Sequence, residues 1–88
     1  TVIDVRNPYE YAEGHIEGAK NIPLGVVGER FAEIPTDKPI VVHCQGGTRS
    51  SIAASVLQKQ GVSNVINLTG GFGAWKKAGG EVKTEGTS

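Results

Sequence analysis

Apolar positions along the chain fall in short bursts separated by polar and glycine-containing punctuation. Val2, Ile3 and Val5 flank Asp4 in a run that predicts a strand, and Ile40-Val41-Val42-His43 and Val65-Ile66-Asn67-Leu68 predict two more. The segments between these runs carry helical spacing. Asn7-Pro8-Tyr9-Glu10 offers an N-cap, a proline at the first helical position and a carboxylate able to reach back to the cap, so a short helix follows the first strand. Pro23 opens a stretch with Leu24, Val27, Phe31 and Ile34 at helical intervals, which Pro35 closes. From Arg49 onward, Ile52, Ala53, Val56 and Leu57 share one face, and Gly61 stands where a left-handed C-cap belongs. Phe72, Trp75 and Ala78 space a last short helix, and Ala19 to Ile22 is available for a further short strand. Strand alternating with helix predicts the α/β class, with a mostly parallel sheet covered by helices on both faces. Residues 81–88 hold Val82 as their one aliphatic anchor and read as a flexible tail, which places the folded domain at residues 1–80.

Composition agrees with this reading and narrows it. Val and Ile number seventeen against three Leu and no Met, the bias of strands buried on both faces. The chain has 88 residues, enough to bury about 60–65 % of its unfolded surface and too few for a second core. Nine basic side chains balance nine acidic ones, so no charge footprint points to nucleic acid or to an anionic membrane. The longest clear apolar run, Ile40-Val41-Val42, is far short of a membrane span. One cysteine excludes an internal disulfide and fits a reducing, cytoplasmic setting. The opening on Thr1-Val2-Ile3 without Met is expected of a segment trimmed from a longer chain.

Ligands of parallel sheets gather beyond the carboxyl ends of the strands, here Asp4 to Arg6, Cys44 to Arg49 and Asn67 to Gly71. The most informative of these is His43-Cys44-Gln45-Gly46-Gly47-Thr48-Arg49-Ser50. Paired glycines let successive N–H groups converge as an anion-binding nest over Cys44, and the helix beginning near Arg49 adds its positive end. Arg49 is the one residue of fixed charge between Pro39 and Gln58, so the thiolate is favoured and the Cys44 pKa is expected below the free value of about 8.5. A lone Cys is otherwise a small buried hydrophobe. Asp4 and Arg6 either pair on the surface or line the rim and orient Arg49 or a substrate, and Arg6 is also spaced for a local ion pair with Glu10. His43 would support the loop, or serve as a general base, while His15 suits a structural hydrogen bond in a loop. No paired-ligand spacing among His15, His43 and Cys44 favours a metal. Trp75 and Phe72 fit core packing, and Thr69-Gly70-Gly71 fits a helix start or a second anion cradle.

These residues together resemble the rhodanese family of single-domain sulfurtransferases. The likeness lies in Asp4-Val5-Arg6 with Glu10, in Gly14-His15-Ile16-Glu17-Gly18-Ala19-Lys20-Asn21-Ile22-Pro23, in the Cys44 to Arg49 loop and in Gly70-Gly71-Phe72-Gly73-Ala74-Trp75. It implies the three-layer rhodanese fold and a sulfur transfer without cofactor. In that reaction Cys44 takes the outer sulfur of thiosulfate or a thiol persulfide and passes it from its own persulfide to cyanide or a thiol. Gln45, Gly46, Gly47, Thr48 and Ser50 would hold that persulfide beside Arg49, with Asp4 and Arg6 at the substrate. Related phosphatases and arsenate reductases carry a longer loop, whereas only Gln45 to Thr48 separate Cys44 from Arg49 here. Many thiosulfate users have Arg directly after the Cys, and Gln45 removes that charge. The family usually opens with a strand before its Asp-Val-Arg segment, and the sequence is expected to start too late to contain it. The run His43 to Gly79 also resembles rhodanese segments fused to metallo-β-lactamase-type persulfide dioxygenases, which implies a possible partner domain with its own iron. A non-catalytic rhodanese-like module used for binding or sulfide sensing is the alternative, though such copies typically lose the loop Cys.

Overall fold

The computed structural model describes residues 1–35 and 37–84. Its central sheet contains β1 (Val2–Asp4), β3 (Lys20–Asn21), β4 (Ile40–His43) and β5 (Val65–Asn67) in the order β3-β1-β4-β5, all parallel. The register sets Ile3 beside Lys20 and Val42, and Val41 beside Ile66. Because every strand runs the same way, the segments that leave Asp4, His43 and Asn67 emerge along one edge. The candidate site residues of the sequence reading gather there.

The two faces of the sheet are covered differently. On one, α2 (Leu24–Val27) and α3 (Thr48–Lys59) close over Ile3, Val5, Ile22, Val27, Ile40, Val42, Ala53 and Leu57, all of them at most 1 % exposed. On the other, α1 (Pro8–Glu13), β2 (His15–Ile16) and α4 (Gly71–Lys77) shelter a smaller cluster of Ile16, Ala19 and Phe72, with Tyr11, Leu68 and Trp75 at its margin. This is the layered α/β arrangement that the alternation predicts.

Several boundaries differ from the sequence reading. The stretch from Leu24 to Ile34 is not one helix: Gly25 and Gly28 weaken it, and it divides into α2 and a 3-10 turn over Phe31–Glu33. The helix expected from Arg49 begins at Thr48, and its buried positions are Ser50, Ala53 and Leu57, leaving Ile52 half exposed rather than on the core face. His15 lies in β2 instead of a loop. The tail expectation fails for Val82–Lys83, which form β6 and pair antiparallel with β2, His15 opposite Lys83 and Ile16 opposite Val82. Val82 packs against Gly14, where a side chain would crowd it, and the Trp75 indole N–H donates to the Glu81 carbonyl at 2.9 Å. Residues 85–88 of that tail fall outside the described residues.

Candidate active site

The loop from Cys44 to Gly47 joins β4 to α3. Gly47 takes a φ of 113°, open to glycine and strained for other residues, and this reversal aims its N–H at the Cys44 sulfur, 3.0 Å away. Ser50, fully buried in the first turn of α3, places its hydroxyl 3.6 Å from the same sulfur. Burial pushes the Cys44 thiol up, but the Ser50 hydroxyl and the backbone amides of Ser50, Gly47 and Gly46 outweigh it and leave the thiol below its ordinary value. The shift has the direction the sequence predicts, with hydrogen bonds as its source.

The loop is clamped from behind by the start of α4. Phe72 N–H donates to the Cys44 carbonyl at 2.7 Å and Gly73 N–H to the Gln45 carbonyl at 3.0 Å. Gly71 sits so close that a Cβ there would collide with the Cys44 carbonyl. Thr69-Gly70-Gly71 is therefore a helix start, and what sequence reasoning missed is the close approach of Gly71 to the Cys44 carbonyl. The doubled glycine was its available signal.

Arg49 is not uncompensated. Its guanidinium makes a two-point contact with Glu10 of α1, at 2.6 and 3.1 Å, and Glu10 also accepts the Asn7 N–H at 3.1 Å. The Arg49 hydrogen bond chiefly holds the Glu10 carboxyl below its usual range, against an opposing desolvation. Glu10 is thus the partner of Arg49, and the Arg6–Glu10 pair expected from spacing is absent. Sequence distance hid the real pair, since the two residues belong to elements that meet only in the folded chain.

Arg6 instead binds Asp4, and neither is on the surface: their side chains are 3 % and 0 % exposed. Asp4 accepts the Arg6 backbone N–H at 2.9 Å and the guanidinium at 2.8 to 3.1 Å, while Arg6 also donates to the Gly14 carbonyl at 2.6 Å and stacks its cation 4.3 Å above the Phe72 ring. Arg6 reaches the loop through the exposed Gln45, 3.5 Å away, and makes no bond to Arg49. Behind them lies fully buried His43, whose Nδ1 is 3.2 Å from the Cys44 carbonyl and whose Nε2 stands 3.7 Å from Asp4 without a hydrogen-bond partner. Desolvation lowers the His43 pKa, opposed by Asp4. His43 supports the loop carbonyl and does not reach the sulfur. His15 stacks on Tyr11 at 3.7 Å, with Nδ1 2.7 Å from the Tyr11 carbonyl, as a structural residue.

Two clefts open beside the loop. Arg6, Glu10, Glu13, Gln45, Phe72 and Lys76 line one of about 290 Å³; Gly46, Thr48, Ser51, Asn67 and Gly70 line the other. A larger hollow of about 540 Å³, by Phe31, Ile34, Val62 and Asn64, includes no residue of the loop. Among the described residues no three His, Cys, Asp or Glu side chains gather as a metal site, and no helix is long and apolar enough to cross a membrane.

Residues 1–78 match the model of the rhodanese-like domain. The chain is 48 % identical to the uncharacterized protein YqhL of Bacillus subtilis over 96 % of its own length and 64 % of that relative. It is 40 % identical to a sulfurtransferase of Allochromatium vinosum, covering 89 % of this chain and 73 % of that one. A crystal structure of a rhodanese-related protein from Thermoplasma volcanium superposes with a TM-score of 0.89 and 35 % identity, over 97 % of this chain and 84 % of the other. A family model that covers residues 1–78 and relatives at this level of identity show that the chain belongs to the rhodanese-like domain family.

Proposed function

We propose that the protein is a sulfurtransferase that carries sulfane sulfur on Cys44. The observation that supports this most directly is the bonding around the Cys44 sulfur, where the Gly47 amide donates to a single, nearly buried atom and the Ser50 hydroxyl stands 3.6 Å from it. The Cys44 thiolate attacks the outer sulfur of thiosulfate or of a thiol persulfide. A new S–S bond forms, the donor's S–S bond breaks, and sulfite or the donor thiolate leaves with the electron pair. Cyanide or an acceptor thiolate then attacks the terminal sulfur and returns Cys44 as thiolate. Two successive displacements predict ping-pong kinetics.

Arg49, fixed by Glu10, supplies positive charge beside the terminal sulfur. Gln45, Gly46, Gly47, Thr48 and Ser50 form the cradle, and the Asp4–Arg6 pair holds its floor. A neutral Gln45 at the mouth favours thiol persulfides over the dianion thiosulfate as donors. A reducing cytoplasmic compartment suits a free thiol of this kind, and a fused persulfide-oxidising domain is a compatible partner. A phosphatase reading is disfavoured by the short loop, which offers little room for a tetrahedral oxyanion.

Mass spectrometry after incubation with glutathione persulfide tests the reading. A gain of one sulfur, absent in Cys44→Ser and discharged by cyanide, is expected. No gain with persulfide or thiosulfate would instead support a non-catalytic binding or sensing module.

A further inference from the structure

The Ser50 hydroxyl has one proton and three acceptors within reach. The Asn67 Oδ1 lies at 2.6 Å, the Gly47 carbonyl at 3.1 Å and the Cys44 sulfur at 3.6 Å. Ser50 is fully buried, whereas Asn67 closes β5 on the exposed side of the loop. A hydroxyl that donates to Asn67 can only accept from the thiol, so this arrangement suits protonated Cys44. The thiolate needs the reverse: Ser50 must turn its proton to the sulfur, and its oxygen then needs a donor. An asparagine provides both arrangements, because rotating its amide exchanges Oδ1 for Nδ2.

We infer that Asn67 is a positioning residue for sulfur transfer, its amide turning over as Cys44 ionises so that Ser50 donates to the thiolate. In the thiol state Cys44 S–H donates to Ser50 and Ser50 to Asn67 Oδ1. On ionisation the thiol proton passes to solvent, Ser50 donates to the sulfur, and Asn67 Nδ2–H donates to Ser50. The inference rests on Cys44 being the reacting thiol. It adds to the cradle a side chain one residue beyond hydrogen-bonding reach of the sulfur.

The other charged or titratable groups around Cys44 are Arg49 of α3 with Glu10 of α1, the Asp4–Arg6 pair at the end of β1 and His43 of β4, with Glu13 of α1 and Lys76 of α4 farther along the cleft beside Gln45, while Val65–Asn67 of β5 contribute none. All stay unchanged in the following test. As Cys44 is the sole cysteine, the pH dependence of its alkylation by iodoacetamide reports its ionisation directly. Asn67→Asp can accept from Ser50 but not donate to it, and the Cys44 midpoint should rise by about one pH unit, the size of one charge-assisted hydrogen bond.

In a Ser50→Ala background the same substitution should move the midpoint by less than half as much, leaving only direct charge repulsion. Equal shifts in the two backgrounds, or no shift in either, would overturn the inference. An independent reading that needs no change at Ser50 is the side-chain amide resonance of Asn67 in 15N-labelled protein. It should titrate with the Cys44 midpoint and become flat in Cys44→Ser; a flat response in the unsubstituted protein refutes the coupling. Both measurements follow ionisation, not turnover, so their failure leaves persulfide transfer standing, and failure of persulfide formation leaves the coupling standing.

Discussion

Arg6 and Arg49 both approach the cysteine loop, and each is held by one carboxylate, yet the two pairs are built for different surroundings. Arg6 and Asp4 are two residues apart at the end of β1 and buried, with each guanidinium nitrogen finding a partner in Asp4, Gly14 or Gln45. Arg49 and Glu10 come from separate helices and keep 34 % and 21 % of their side chains exposed. Removing charges from water is costly, and the first pair must offset that cost through geometry. The second stays partly hydrated, so its members are individually dispensable to the fold. The buried pair is accordingly the floor of the candidate site, and the partly exposed pair is its adjustable wall.

The largest effect should come from breaking the floor. Asp4→Ala strands the Arg6 cation in the interior and should cost about 3–5 kcal/mol in urea denaturation. Glu10→Ala should cost about 1 kcal/mol or less in the same measurement. Similar losses at the two carboxylates would erase the distinction.

Chemistry should respond in the opposite way. Arg49→Ala is expected to fold normally and to slow sulfur transfer to cyanide by about 100-fold, the usual consequence of losing one stabiliser of developing anionic charge. Transfer that survives this substitution would make the wall mere scaffolding.

The contrast between the pairs also marks what the sequence made legible. Strands such as Ile40–His43 and the strand-to-helix loop at Cys44 declare themselves locally, through β-branched runs and paired glycines, and the structure places them as expected. The Arg49–Glu10 pair spans 39 positions, and spacing along the chain instead favoured Arg6 with Glu10, which would be reasonable on an isolated helix. Asp4 and Arg6 were recognisable as a pair, but their burial was not, because it depends on Phe72 and Gly14 closing over them. β6 was missed for the same reason. Val82 is one apolar residue in a polar segment, and its pairing depends on a two-residue partner and on the bare backbone of Gly14.

The smallest effects separate the pairs by pH. His43 lies against Asp4 in the floor and has its pKa lowered by burial, so the unfolded chain takes up a proton that the folded one refuses. Its contribution is complete above about pH 6.5, the unfolded value, and declines as the pH falls from there toward the folded value. Glu10, in the wall, is also lowered, chiefly by Arg49, and its contribution is intact above about pH 4.3 and declines only below that. Urea midpoints measured downward from pH 8 should therefore fall in two stages. His43→Asn should remove the first stage and leave the second, and Glu10→Gln should leave the first and shrink the second without abolishing it, because the Glu33 carboxyl, held down to about 2 by Arg30, titrates in the same range. A first stage that persists in His43→Asn would mean the floor does not resist protonation, and the buried pair would then be no more closed to water than the exposed one.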